Sequence, residues 1–165
     1  TFMPWPGQMG QFALRYQKKE LLKPPFTKNE DRDAQEYAAS MAWFTFFAGN
    51  KGFVNLKYEL NKEDADGINW NYVGNKGNLN IIMPLNDVLK FNVSGEAYYQ
   101  RYDPANTNFL KKREDMTYTG SAMLSYEFYK NMEARLQYVY TRADSNIGIY
   151  DYSKNVSSVG VEVRY

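Results

Sequence analysis

Apolar and polar residues alternate along much of this chain, and the alternation restricts the fold more than any other feature. Side chains of a β-strand point to opposite faces in turn, so each alternating stretch predicts a strand with one apolar and one polar face. Tyrosine occurs 15 times in 165 residues, and aromatic residues also favour strands. The alternation is clearest in residues 10–17, 53–60, 88–103, 116–129, 132–142 and 157–165.

Two stretches do not alternate simply. Residues 36–47 are apolar on both faces, and we expect Trp43 and its neighbours of the same parity to point outward, because the other face carries small residues. Trp70 and Tyr72 share one face, but apolar residues resume on the other parity from Leu79 onward. One extra residue in the glycine-rich segment 74–77, forming a β-bulge, would restore the register.

The sequence therefore predicts a single all-β domain over residues 1–165, with a lead-in segment at 1–8 and eight strands. The strands are expected at roughly 9–17, 36–47, 53–60, 68–84, 88–101, 115–128, 132–142 and 154–165. The links between them alternate in length. The tight links are 48–52, 84–87 and 129–131, and the long polar ones are 18–35, 61–66, 102–115 and 143–153.

In an up-and-down arrangement, all tight links and the C-terminus fall on one rim, and all long loops fall on the other. Short turns opposite long loops are typical of outer-membrane barrels. The predicted fold class is an antiparallel up-and-down transmembrane β-barrel of about eight strands, either complete or part of a larger barrel. We expect the last strand to pair with the first, so that no edge is left in lipid.

Composition excludes several function classes. There is no histidine and no cysteine, which removes disulfides, thiol nucleophiles, most zinc sites and most general-base chemistry. The formal net charge is only +1, and the sequence contains no basic patch that would bind nucleic acid. Asp144, Asn146 and Asp151 lack the spacing of a calcium loop, and turn geometry explains them better. We expect no enzyme activity, no cofactor and no metal.

The two predicted faces suggest two sets of functional residues. Charged residues on the polar face would be paired inside a polar lumen. They are Lys57, Glu59, Lys90, Glu96, Glu127, Glu133, Arg135, Glu162 and Arg164. Aromatic residues on the apolar face lie toward the predicted strand ends, where girdles at the two membrane interfaces would place them. They are Trp43, Trp70, Tyr72, Tyr99, Tyr126, Tyr138, Tyr140 and Tyr165.

The C-terminal sequence SVGVEVRY resembles the terminal signal that the assembly machinery of bacterial outer-membrane barrels reads. The matching residues are Ser158, Gly160, Val163 and the terminal Tyr165. Longer stretches extend the resemblance. EDADGINWNY, RYD, KKREDMTYTGSAMLSYEF and YTRADSNIGIYDYSKNVSSVGVEVRY are similar to the last strands of barrels attached to periplasmic tetratricopeptide repeats, a group that includes surface lipoprotein assembly modifiers.

The resemblance implies a bacterial outer-membrane location and a transport, export or porin-like role. The implied partners are outer-membrane lipid and lipopolysaccharide, the barrel assembly machinery, and periplasmic or other barrel-forming chains. Two alternatives remain open at this point. A closed barrel of about eight strands is filled by side chains and would serve as an anchor or loop scaffold. A soluble ligand-binding barrel would also alternate, but with its apolar face inward.

Overall fold

The computed structural model describes residues 1–22 and 25–164, and it consists almost entirely of β-structure. The eight strands are β1 (Gln8–Lys19), β2 (Ala34–Phe47), β3 (Gly52–Ala65), β4 (Tyr72–Pro84), β5 (Leu89–Tyr102), β6 (Glu114–Tyr129), β7 (Met132–Ser145) and β8 (Tyr152–Val163). Short 3-10 helices occupy Lys28–Glu30, Ile68–Trp70 and Gly148–Tyr150. Within the described ranges, no helix has the length and apolar character needed to cross a membrane.

The strands form one sheet in the order β1-β2-β3-β4-β5-β6-β7-β8, and every neighbouring pair is antiparallel. This arrangement confirms the predicted all-β, up-and-down fold with eight strands. Such a meander arises because each strand is followed by a link that returns the chain directly beside it.

The two rims of the sheet differ as the sequence predicts. Tight turns join β2 to β3, β4 to β5, and β6 to β7 at one rim, and the four longer links lie at the other. Ala48, Asn50 and Asn131 adopt left-handed backbone conformations in two of the tight turns. The backbone N–H of Arg164, just after β8, donates to the carbonyl of Asn131 at 2.9 Å, so the end of β8 lies at the tight-turn rim.

The predicted bulge in residues 74–77 is wrong. β4 pairs with both neighbours without a register shift, and the shift that occurs lies between Glu127 and Tyr129 in β6. Gly74 serves a different purpose, because a Cβ there would lie only 2.2 Å from Oδ1 of Asn61 and 2.7 Å from the Tyr98 ring. The glycine therefore allows these two side chains to meet on one face of the sheet.

Several strand boundaries also need correction. Residues 68–70 form a 3-10 helix instead of the start of β4. Residues 61–65, predicted as a polar loop, belong to β3, which continues to Ala65. Asn61, Glu63 and Ala65 lie on one face of β3 and are half-buried or buried, whereas the residues between them are exposed. This alternation in burial explains the extension of the strand.

The expected closure of the cylinder by β8 and β1 is not observed in residues 1–22 and 25–164, where β1 pairs with β2 and β8 with β7 alone. Part of the β1 edge is already occupied. Phe2 exchanges both backbone hydrogen bonds with Gly10, each at 2.8 Å, so the lead-in segment folds back onto this edge. The Phe2 ring also fills the space that a Cβ at Gly10 would need. The rest of both edges retains unpaired backbone groups.

The sheet curves around its polar face. Arg15 in β1 reaches Glu59 in β3, at 3.0 Å, across the intervening strand. Ala38 and Ala42 are buried on this face of β2, and their small size leaves room for the longer neighbours. We call this polar side the inward face and the opposite side the outward face.

Candidate functional site

The outward face is apolar and exposed. Phe12, Leu14, Leu56, Leu136 and Val159 lie on it, and Leu14 and Val159 are 74% and 81% exposed. The buried residues are different in kind. Among the residues that the structure describes, five of the seven buried hydrophobic residues are alanine, and ten further buried residues are polar or charged. A water-soluble sheet buries its apolar face, so the polarity here is inverted, and it is also the opposite of a soluble ligand-binding barrel.

Five of the eight residues predicted for the aromatic girdle lie on the outward face. They are Trp43, Tyr99, Tyr126, Tyr138 and Tyr140. Tyr138 and Tyr140 lie near the middle of β7 instead of at its ends, so they were wrongly assigned to a girdle.

The remaining three girdle residues do not fit the prediction. Trp70 belongs to a 3-10 helix, and Tyr72 points inward, with its hydroxyl group donating to Glu63 at 3.0 Å. The prediction failed because the 3-10 helix interrupts the alternation just before β4. Tyr165 lies outside the described residues. Sequence reasoning missed Phe2 and Trp5, whose rings lie 6.0 and 6.3 Å from that of Trp43 at the tight-turn rim.

A first charge network links β1, β2 and β3 on the inward face. Glu36 accepts from Arg15 at 2.5 Å and from Lys19 at 2.6 Å, and its side chain is buried. Glu59 accepts from Arg15 at 3.0 Å and from Lys57 at 2.7 Å. Lys19 also binds Glu63. Three cations thus meet three carboxylates in this network.

A second network lies on β7 and the end of β8. Arg135 contacts Glu133 at 2.6 Å and Glu162 at 2.5 Å, and Arg164 contacts the same two carboxylates at 3.3 and 2.8 Å. The sequence predicts that Glu133 and Arg135 lie in one paired network with Glu96, Glu127, Glu162 and Arg164. The pairing of Glu133, Arg135, Glu162 and Arg164 is confirmed, whereas Glu127 forms no ion pair with the residues that the structure describes. In the described part of the chain no ion pair connects Glu96 to this network, because Glu96 aligns with Thr119 and Thr141, and Thr141 lies six residues from Arg135 along β7, or roughly 20 Å.

The nine charged residues predicted for the lumen all have inward-face positions. Eight of them lie in β3, β5, β6, β7 and β8, and Arg164 continues the alternation just beyond β8. The prediction omitted Arg15, Lys19, Glu36 and Glu63, although their parity is readable from the sequence. It also omitted Lys76, whose ammonium group lies 4.4 Å from the centroid of the Tyr98 ring.

A polar hollow lies on the inward face between β1 and β5. Its volume is about 470 Å³, and its lining residues are Arg15, Lys57, Glu59, Lys76, Asn78 and Glu96. Neither Lys76 nor Glu96 has an ion-pair partner within 4.0 Å among the residues that the structure describes. The hollow therefore offers one cation and one carboxylate that the charge networks leave unpaired.

Apolar side chains bound this polar region at the tight-turn rim. Phe44, Phe46 and Phe53 form an inward cluster with ring centroids 6.0 to 6.2 Å apart. Phe44 and Phe46 are stacked and the other two pairs are tilted, and aromatic contacts at such distances are favourable. The three rings are half-buried, and they form an apolar patch beside the β2–β3 turn on the inward face.

The long loops meet at the opposite rim and form a cap. Glu30, from the β1–β2 loop, accepts from Asn69 at 2.6 Å, from the Trp70 indole at 3.1 Å and from Asn108 at 2.9 Å. Asn69 also donates to Thr107 at 2.9 Å. The β1–β2, β3–β4 and β5–β6 loops are thus joined through one carboxylate and one buried amide.

Arg113 links the β7–β8 loop to this cap. Its guanidinium group lies 3.4 Å from the ring centroid of Tyr150 and 4.3 Å from that of Tyr102, and it forms a two-pronged ion pair with Asp115. Its Nη1 atom has no hydrogen-bond partner in the described residues, and the aromatic faces take the place of one. The Trp70 and Tyr150 rings also meet edge to face, at 6.3 Å.

The acidic and amide residues of the β7–β8 loop organise turns. Asp151 accepts the backbone N–H of Ser145 at 2.5 Å, and Asn146 bonds to the backbone of Glu114 and Lys112 on the neighbouring loop. In the part of the chain that is described, no group of three or more acidic residues is arranged to hold a metal ion.

These features can be compared with known proteins. A family model described as a protein of unknown function, DUF2860, matches residues 15–164. The chain belongs to the DUF2860 family. The match runs from the middle of β1 to just beyond β8, so the DUF2860 region includes both charge networks and all four long loops. No curated protein and no solved structure matches the chain. The resemblance to surface lipoprotein assembly modifiers therefore stays a prediction.

Proposed function

We propose that this DUF2860 chain forms the wall of a bacterial outer-membrane β-barrel and lines a polar passage with a transport role. The inverted polarity of the sheet carries the proposal. An exposed apolar face on all eight strands would be unfavourable in water, whereas it would be favourable against lipid. The charges of the inward face would then line water or pair with one another.

The dimensions of the strands support this proposal. The strands contain 12 to 16 residues. A tilted strand needs about 9 to 11 residues to cross the hydrocarbon core. Every strand is therefore long enough to cross and to extend beyond the bilayer on at least one side.

The free edges of β1 and β8 place a condition on the proposal. Backbone groups without partners cost several kcal/mol each in lipid. In the membrane the two edges must pair either with each other or with further strands of a larger barrel. The larger barrel would leave a wider lumen, which favours transport.

The balance of charges indicates what such a passage would favour. The β1–β3 network contains three cations and three carboxylates, and the β7–β8 network contains two of each. A lumen without an excess of either sign gives little ion selectivity. We expect it to favour neutral or zwitterionic polar solutes.

The rival function is a closed anchor or loop scaffold, and the two ends of the inward face favour it. The Phe cluster narrows one end, and the cap around Arg113 and Trp70 covers the other. If both ends stay closed, no solute passes. The transport proposal instead requires that the cap opens.

Conductance across a planar bilayer separates the two functions. We expect the inserted wild-type chain to conduct, and Trp70→Ala to increase the open time, because it removes the indole contacts to Glu30 and Tyr150. Trp5→Ala is the control, since Trp5 lies at the other rim. Absence of current in both the wild-type chain and the Trp70→Ala variant, after confirmed insertion, would support the anchor and contradict transport.

A further inference from the structure

An apolar groove lies on the outward face of β1 to β4, close to the long-loop rim. Its volume is about 660 Å³. Ala39 lies between Leu14 and Leu60 in the register of the three strands, so a small side chain forms the floor between two larger ones. Tyr16 and Val73 extend the two walls toward the rim. The groove has the shape and chemistry to hold an acyl chain.

A second polar hollow, of about 290 Å³, lies at the long-loop rim and adjoins this groove. The groove and this second hollow share Lys62 and Val73. In the register of the sheet, Val73 pairs with Lys62 on one side and with Arg101 on the other. The two cations therefore flank one valine, separated by two strand spacings, or roughly 10 Å. Neither has an ion-pair partner within 4.0 Å in the described ranges.

Three carboxylates also line this second hollow, and two of them already have ion-pair partners. Glu63 binds Lys19, and Asp103 contacts Lys112 at 2.5 Å. Asp64 is the third. The two free cations outnumber the one carboxylate that has no ion pair in the described residues, so the hollow favours an anionic group.

We propose that the groove and the adjoining hollow bind one lipopolysaccharide molecule, with an acyl chain over Ala39 and a phosphate group between Lys62 and Arg101. The inference rests on the proposed function, which places the long-loop rim at the outer leaflet, where the phosphate-bearing lipid is lipopolysaccharide. The apolar part and the cationic part lie in the order in which a lipid presents its chain and its head group.

The test measures binding of purified lipopolysaccharide to the full chain folded in phosphatidylcholine vesicles. We expect the double variant Lys62→Gln/Arg101→Gln to bind about a hundredfold more weakly, or about tenfold for each lost cation. Ala39→Trp should fill the groove and also weaken binding. Lys130→Gln, the same charge change at the tight-turn rim, is the control and should bind as the wild-type chain does.

Two further probes identify the lipid. Dephosphorylated lipopolysaccharide should bind the wild-type chain about as weakly as intact lipopolysaccharide binds the double variant. Phosphatidylglycerol should not compete at equal concentration, and equal competition would overturn the choice of lipopolysaccharide.

Insertion into the vesicles is measured in parallel by resistance to added protease. A wild-type chain that fails to insert contradicts the proposed function itself. Inserted wild-type and variant chains that bind lipopolysaccharide equally well contradict only the lipid site.

Discussion

Leu124 and Ser125 are neighbours on β6, yet they meet opposite environments. Leu124, on the outward face, is 38% exposed, whereas Ser125, on the inward face, is 6% exposed and lies beside Glu133 and Arg135. The same contrast recurs in β2 to β7, whereas most residues on both faces of the edge strands β1 and β8 are exposed. In water the hydrophobic effect would favour the reverse arrangement. The comparison shows that the folded sheet is organised around its polar groups and leaves its apolar surface to be covered by something else.

A second comparison lies within the inward face. Glu36 in the β1–β3 network is 6% exposed, because the curved sheet surrounds it. Glu162 in the β7–β8 network has a side chain that is 37% exposed, because β8 is an edge strand. Similar ion pairs therefore differ in desolvation, and the difference determines how much each should matter for stability.

The largest expected effect contrasts the two faces. If the outward face contacts lipid, Leu124→Arg should destabilise the folded chain by about 2–4 kcal/mol in lipid vesicles, since it places a charge on the lipid side near mid-bilayer. Thr119→Arg is the matched inward change on the same strand, and it places the cation opposite Glu96. A urea titration should show little loss for Thr119→Arg. Equal losses at the two sites would contradict the assignment of the faces.

The next effect contrasts the two charge networks. Glu36→Gln removes the carboxylate shared by Arg15 and Lys19, and we expect it to cost about 1–2 kcal/mol, a value discounted for the partial exposure of both cations. Glu162→Gln should cost less than about 1 kcal/mol. The same titration measures both. A larger loss for Glu162→Gln would mean that the β8 edge is covered in the membrane, as closure requires.

The smallest effect is expected in the loops, outside both faces. Lys112 donates to Asp103 and holds the pKa of this carboxyl group below its usual value of 3.8. The contribution of this ion pair to the stability of the fold is therefore present above pH 3.8, and it is lost as the pH falls through the lowered pKa of Asp103. Because both side chains are exposed, Asp103→Asn should lower stability at neutral pH only slightly, by less than either change in the charge networks. An NMR titration should show the pKa of Asp103 rising toward its usual value in Lys112→Gln, with Arg101 still lowering it.

Local patterns predicted the strands, the tight turns and the two faces, because these depend on neighbouring residues. The alternation over residues 116–129 and 132–142 required no knowledge of distant contacts. Prediction failed where a distant residue decides the local structure. Gly74 accommodates Tyr98, 24 positions later, which no local pattern distinguishes from a β-bulge.

The cap could not be predicted for the same reason. Glu30 binds Asn108, 78 positions away in sequence, and Arg113 stacks on Tyr150. The polar sequences of the long loops do not indicate which partners their side chains contact. Glu36 and Arg15, in contrast, could have been assigned to the inward face from parity alone.

A cysteine scan along β7 shows whether the outward face contacts lipid. The chain has no cysteine, so single substitutions from Ala134 to Tyr140 can each carry one fluorescent label. After insertion into vesicles, a quencher attached to lipid tails should quench positions 134, 136, 138 and 140, and a water-soluble quencher should act on 135, 137 and 139. Equal access of the water-soluble quencher to all seven positions would show that the outward face of β7 does not contact lipid.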